Sequence, residues 1–132
     1  MYEYGIGVPQ DYKEAVKWYR LAAEQGDASA QFYLGRMFEE GNGVPKDNKE
    51  AVKWWKLSAE QDDAKAQYKL GLMYKAGYGV PQDYVLAHMW YNLAGSNGHE
   101  DARENKKRVE DQMTPQQIEK AQEMAKNWKP KK

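Results

Sequence analysis

Apolar residues return at helical spacing along most of the chain. Between Asp11 and about Gln25, Ala15, Tyr19 and Ala22 stand at i, i+4 and i+7, and Val16, Trp18 and Ala23 widen the stripe. That is the face of an amphipathic helix. Asp11 followed by Glu14 has capping-box spacing, with an Asp supplying the cap oxygen. Gly26-Asp27 closes this helix, because Gly suits a left-handed C-cap and Asp27 can cap the next helix. A second helix is predicted over about Ala28–Glu40, with Ala30, Leu34, Met37 and Phe38 facing its neighbours. Gly35 inside it costs about 1 kcal/mol of helix propensity, so a partner helix is expected to approach closely there. Gly41 ends the helix and Pro45 keeps it from continuing.

The same pattern then recurs. Ala51, Val52, Trp54, Trp55, Ser58 and Ala59 lie on a helix predicted over about Asp47–Gln61, and Ala66, Leu70, Gly71, Met73 and Tyr74 on one over about Ala64–Ala76. A further copy opens at Asp83, carries Ala87, Trp90, Tyr91 and Ala94, and ends near Asn97-Gly98. Small residues alternate with large ones, as crossing helices that interdigitate require, and the register-equivalent Trp18, Trp54 and Trp90 are expected in the core. The phrases Gly5-Ile6-Gly7-Val8-Pro9, Gly41-Asn42-Gly43-Val44-Pro45 and Gly77-Tyr78-Gly79-Val80-Pro81 mark a constant period of 36 residues. A fixed period in this range is the signature of a solenoid whose units stack on their neighbours. Met1-Tyr2 falls in register with Met37-Phe38, so the first repeat reads as truncated at its start. The apolar face around Val16, Trp18 and Tyr19 then lacks part of its cover, and self-association through that end, or exchange of a terminal helix, is expected.

After Gly98 the pattern breaks. Lys106-Lys107 stands where the register calls for Leu70-Gly71, which makes the outer face of the last unit polar, as a terminal repeat needs. Thr114-Pro115 reads as an N-cap followed by Pro at the first helical position, and Ile118, Ala121, Gln122, Ala125 and Trp128 give one last amphipathic helix. The expected organisation is repeats over residues 1–98, C-terminal capping helices over 99–128 and a tail over 129–132. The fold class is all-α: an α/α superhelical solenoid of antiparallel helix pairs with a C-terminal capping helix.

Composition narrows the function classes. Lys plus Arg and Asp plus Glu balance at 20 each, so no global field points toward nucleic acid or an anionic membrane. Cysteine is absent, which removes disulfides, thiolate metal sites and cysteine nucleophiles together. No run approaches the roughly 18 apolar residues of a membrane span. The first residues lack the regions of a secretory signal. The chain as given reads as cytoplasmic, and the truncated first repeat keeps a periplasmic location open.

Leu34-Gly35-x-x-Phe38 and Leu70-Gly71-x-x-Tyr74 match the core of tetratricopeptide repeats, whose period is about 34. The longer period, with Gly-x-Gly-Val-Pro-x-Asp, Ala-Val-Lys-Trp-Tyr and Ala-Ala-Glu-Gln-Gly-Asp-Ala, resembles the Sel-one-like repeat (SLR) family. The resemblance covers about residues 1–102, and the final helix opened by Thr-Pro is similar to a common ending in bacterial members. It implies a superhelical adaptor that brings proteins together. The third copy departs at Val85-Leu86-Ala87-His88-Met89, and Asp62 stands where Gly26 and Gly98 stand, so an altered helix joint is expected there.

Sequence chemistry beyond this is sparse. The Gly-x-Gly loops follow helices rather than strands, so they read as turns and not as phosphate cradles. His88 and His99 are the only imidazoles; a zinc site needs three or four ligands, and His88 reads as a helix-surface residue. Ser29, Ser58 and Ser96 fit neither Ser-x-x-Lys nor Gly-x-Ser-x-Gly, so no catalytic residue is assigned. Some cysteine-rich SLR members are linked to β-lactam binding, and the residues for it are missing here. No cofactor or metal is expected. RNA binding by a helical-repeat module is the rival class, weakened by the absence of a basic stripe. By analogy with tetratricopeptide helices, the first helix of each pair lines a concave groove. This places Ser29, Phe32, Arg36, Glu39 and Glu40 on it, followed by Lys65, Tyr68, Leu72 and Lys75. Phe32, Tyr68 and Leu72 are the expected apolar anchors, with Arg36 and Lys75 pairing to carboxylates. The expected function is a non-catalytic scaffold that binds a protein or peptide partner on this face.

Overall fold

The computed structural model describes residues 11–130. They form seven helices and no strand: α1 (Asp11–Glu24), α2 (Ala28–Glu40), α3 (Asn48–Glu60), α4 (Ala64–Ala76), α5 (Tyr84–Ser96), α6 (Glu100–Glu110) and α7 (Pro115–Asn127). Each of the first six packs chiefly on its sequence neighbours, as in a solenoid. The Gly-Val-Pro phrase at residues 5–9 and the cap expected at Asp11 lie outside the described residues and side chains.

The helix boundaries follow from local chemistry. Asp27 and Asp63 each accept the amide of the third residue on, Ala30 at 3.0 Å and Ala66 at 3.1 Å. Gly41 and Gly77 end α2 and α4 in the left-handed conformation. Asp47 and Asp83 cap α3 and α5 in the same way. His99 caps α6, its Nδ1 accepting from the Ala102 amide at 3.2 Å. Thr114 and Gln117 complete a reciprocal capping box at α7. Such caps satisfy amides that a helix start otherwise leaves unpaired.

The Gly-x-Gly-Val-Pro loops prove to be stacking elements. In the two described copies the first Gly stops a helix and the second lies against the preceding unit. A Cβ on Gly43 would stand 2.5 Å from the Tyr12 carbonyl oxygen, and one on Gly79 2.6 Å from that of Asn48. Each loop thus seats on the start of a helix one repeat earlier, which is how a loop sets the pitch.

Between helices, Gly35 lets α3 close onto α2. Trp55 lies over it fully buried, and its Nε1 donates to the Phe32 carbonyl at 3.0 Å. Tyr91 takes the equivalent place over Gly71. A polar ladder runs alongside. The Gln61 amide donates to the Gly26 carbonyl at 2.9 Å and to Gln31 at 3.0 Å, and one repeat on Asn97 donates to Asp62 at 2.8 Å and Gln67 at 3.1 Å. Asp62 takes the left-handed conformation (φ 73°) that Gly26 and Gly98 hold elsewhere. Asp tolerates that region better than most residues, and its carboxylate takes the place in the ladder that the Gly26 carbonyl holds one repeat earlier.

Three expectations are corrected. Trp54 and Trp90 are buried, at 6% and 5% exposure, but Trp18 is 61% exposed. The tryptophans match in sequence and differ in neighbours: α3 and α5 each pack between a helix on either side, while α1 has α2 as its main neighbour among the described residues. Val16, expected on the uncovered face, is buried. His88, expected on the surface, is fully buried, with Nε2 2.7 Å from Glu110 Oε2 and no described partner for Nδ1.

The C-terminal region also differs from a simple continuation of the stack. α7 packs against α5 instead of extending the series from α6, and Trp128 meets Trp90 edge-on at 6.0 Å. Lys107 stands at the position where Gly35 and Gly71 admit an aromatic ring, so α6 offers no such seat.

Candidate functional site

The nine residues assigned to a groove fall on successive turns of α2 and α4, and the structure brings only some of them together; Ser29 lies apart, beside Trp18 and Tyr33. Phe32 is buried at 6% exposure, near Tyr33 and Trp55 and beneath the Lys65 ammonium, which sits 5.0 Å from its ring centre. Its expected role as an open anchor is therefore corrected: the ring belongs to the joint between repeats, and Lys65 covers it. Lys65 also lies 5.3 Å from the Tyr33 ring, with Arg36 on the same ring at 5.9 Å. Arg36 pairs loosely with Glu40 at 3.9 Å, both partly open to solvent.

Tyr68 is half-buried and engaged. It stacks on His99 with ring centres 4.3 Å apart, and its hydroxyl accepts from the Asn105 amide at 3.3 Å. Burial pushes its phenol above the usual range, and the nearby Asp101 carboxylate adds to this.

Glu39, Leu72 and Lys75 meet at one place. With Met73, Ala76, Tyr78, Gln82 and Tyr84 they line a groove of about 510 Å³. Its wall spans three helices and one loop: Glu39 from α2, Leu72 and Lys75 from α4, Tyr78 from the Gly-x-Gly turn and Tyr84 from the start of α5. Glu39 is held by Lys69, with Nζ 3.3 Å from its carboxylate. The Gln82 amide donates to the Lys75 carbonyl at 2.9 Å. Tyr78 is 59% exposed, which is unusual for so large a ring. Sequence reasoning missed Tyr78 and Tyr84. The signal available was that the variable residue of the Gly-x-Gly phrase is Tyr in the third copy and Asn in the second.

This groove offers one acid, one base, an apolar floor and two phenols. It suits an extended segment with an apolar side chain flanked by charge. Among the described residues no group of three or more His, Asp or Glu converges as metal ligands do, and no helix is long and apolar enough to cross a membrane.

A second apolar surface lies at the other end of the described chain. Trp18, Tyr19, Ala22, Ala30 and Tyr33 border a shallow cleft of about 530 Å³, with Tyr19 and Tyr33 stacked at 5.4 Å. Leu21 is also exposed nearby.

Comparison with known proteins agrees with this architecture. The Sel1 repeat family matches residues 1–27, 28–63 and 64–99. A solved protective antigen present in uropathogenic Escherichia coli strains, described as displaying an SLR fold, is 36% identical with a TM-score of 0.91. The match covers 95% of this chain and 27% of the antigen's. A Sel1 repeat protein from Oxalobacter formigenes is 42% identical with a TM-score of 0.74, over 80% of this chain and 43% of its own. This chain thus spans less than half the length of either structure. No curated protein sequence matches it.

Proposed function

The chain belongs to the Sel1 repeat family, whose members are generally protein-interaction scaffolds, and on that premise we propose that it is a non-catalytic adaptor gripping a peptide segment in the groove between Leu72 and Tyr78. The observation that carries this is the convergence of residues from successive repeats on one groove of about 510 Å³. A groove assembled across repeats keeps its shape only while the solenoid is folded, and it presents two tyrosine rings, a residue type that anchors protein partners, flanked by an acid and a base. Arg36 and Lys65 continue the row along α2 and α4 as cations backed by aromatic rings.

The test is affinity capture from native lysate with the wild-type chain and with a Leu72→Ser/Tyr78→Ala variant. Tyr78 is exposed and Leu72 only half-buried, so the variant is expected to fold. Loss of the captured partner with a cooperative unfolding transition and helical content retained supports the groove. Capture that survives the double substitution contradicts it, and capture of RNA with a steep salt dependence would favour the nucleic-acid class instead.

The Trp18–Leu21 surface is assigned in the same reading to self-association, because two large apolar side chains one turn apart stand open to water. Light scattering at rising concentration is expected to show a mass above that of the monomer, reverting in Trp18→Glu. A monomeric mass throughout contradicts the assignment.

A further inference from the structure

One cavity is bordered by side chains at which the third repeat differs in charge from the first two. Tyr91, Asn92, Gly95, Ser96, Arg103 and Lys106 line a pocket of about 260 Å³ between α5 and α6. At the five register positions from 92 to 106, the second repeat holds Lys56, Ala59, Glu60, Gln67 and Leu70. The first holds Arg20, Ala23, Glu24, Gln31 and Leu34. Each earlier set contains one cation and one carboxylate. The third contains two cations and no carboxylate.

One hydrogen bond persists through this change. Gln31 Nε2 donates to the Ala23 carbonyl at 3.1 Å, Gln67 Nε2 to that of Ala59 at 3.2 Å, and Arg103 Nε to that of Gly95 at 3.0 Å. The arginine makes the structural bond with Nε and carries two further amino groups beyond it. Gly95 provides the room: a Cβ there would stand 2.7 Å from Arg103 Cγ. Replacement of Gln by Arg and of Ala by Gly are therefore sterically coupled. Ser96 removes the carboxylate that the earlier repeats carry at the same place. Arg103 and Lys106 form no ion pair among the described residues; on their own helix Glu104 pairs with Arg108 and Glu110 with His88.

We infer that this pocket is an oxyanion site, which takes a phosphate or carboxylate group of a ligand. Arg103 and Lys106 supply the charge, and the Asn92 amide and Ser96 hydroxyl supply neutral donors. A planar guanidinium beside an ammonium matches the geometry of either anion. Cations held in a concave site focus field on its mouth. The site stands at the capped end of the stack, apart from the Leu72–Tyr78 groove, and does not depend on it.

The test is a two-dimensional amide NMR titration with inorganic phosphate and, separately, acetate, at ionic strength held constant with chloride. Saturable shifts confined to amides of residues 92–106 are expected, and the anion with the lower Kd names the ligand class. Arg103→Gln restores the residue of the earlier repeats and keeps the bond to residue 95, so it is expected to fold. Ser96→Glu places a carboxylate at the exposed mouth without touching the core. Both are expected to raise Kd by at least about tenfold, the loss of one charge-assisted contact. Shifts that do not saturate, that spread over the surface, or that persist unchanged in both variants would overturn the inference.

Discussion

Trp55 lies across Gly35 so closely that a Cβ on residue 35 would stand 2.4 Å from the indole nitrogen, which itself donates to the Phe32 carbonyl at 3.0 Å. The glycine's weak helix propensity is offset by a fully buried indole and a satisfied donor. Gly35→Ala forces the ring out of this seat. The expected cost is about 1–3 kcal/mol, typical of overpacking, read as a lower urea midpoint at unchanged slope. An unchanged midpoint would mean that the close approach does not hold the repeats together.

Equivalent tryptophans should respond unequally. Trp54→Ala empties a buried site and is expected to lose about 3–5 kcal/mol. Trp18→Ala removes an exposed ring and should stay within about 0.5 kcal/mol for the monomer. Denaturation of both at low protein concentration checks this, and similar losses would contradict the exposure of Trp18.

Tyr91 is fully buried and its hydroxyl finds no partner among the described residues. Burial, and secondarily Tyr68, push its phenol well above the ordinary 10.0. A group whose folded pKa is raised leaves stability intact below its unfolded pKa and removes it as pH climbs toward the folded one. Stability should therefore fall above about pH 10, and fall less steeply in Tyr91→Phe. Near neutral pH the same substitution is expected to be neutral or stabilising by about 1 kcal/mol, since an unpaired buried hydroxyl is removed. Chemical denaturation across pH 8–11 decides. Equal alkaline losses in both proteins would contradict the burial of this phenol.

Phe32 illustrates why a binding defect alone would mislead. Phe32→Ala is expected to cost about 3–5 kcal/mol because its ring is core. A loss of partner binding in that variant would report a damaged repeat. Melting measured beside binding separates it from Tyr78→Ala, whose ring is exposed and whose expected effect on melting is small.

Much of the fold was legible because its signals are local and repeated. An Asp before each of α2 and α4 and a left-handed Gly after it bracket Ala28–Glu40 and Ala64–Ala76, and both spans match the sequence reading. The burial of His88 was legible too, since its register equivalents are Val16 and Val52, both buried. Residue type outweighed register in that reading. Trp18 reads both as core, from its register with Trp54, and as part of an incompletely covered face; the neighbouring helices decide between the two, and periodicity does not describe them. Phe32 was misplaced for a related reason: periodicity gives a face, but Lys65 arriving from the next repeat covers the ring. The groove was half visible. Glu39, Leu72 and Lys75 lie on the predicted face, whereas Tyr78 and Tyr84 come from a turn and a helix start that helical periodicity does not describe.

The central claim, a partner held across successive repeats at Leu72–Tyr78, is tested most directly by site-specific photo-crosslinking in native lysate. A crosslinker at position 78 is expected to trap a defined protein, and one at Lys53 on the exposed side of α3 is expected to trap none. Equal trapping from both positions, or trapping from Lys53 alone, would contradict the groove assignment.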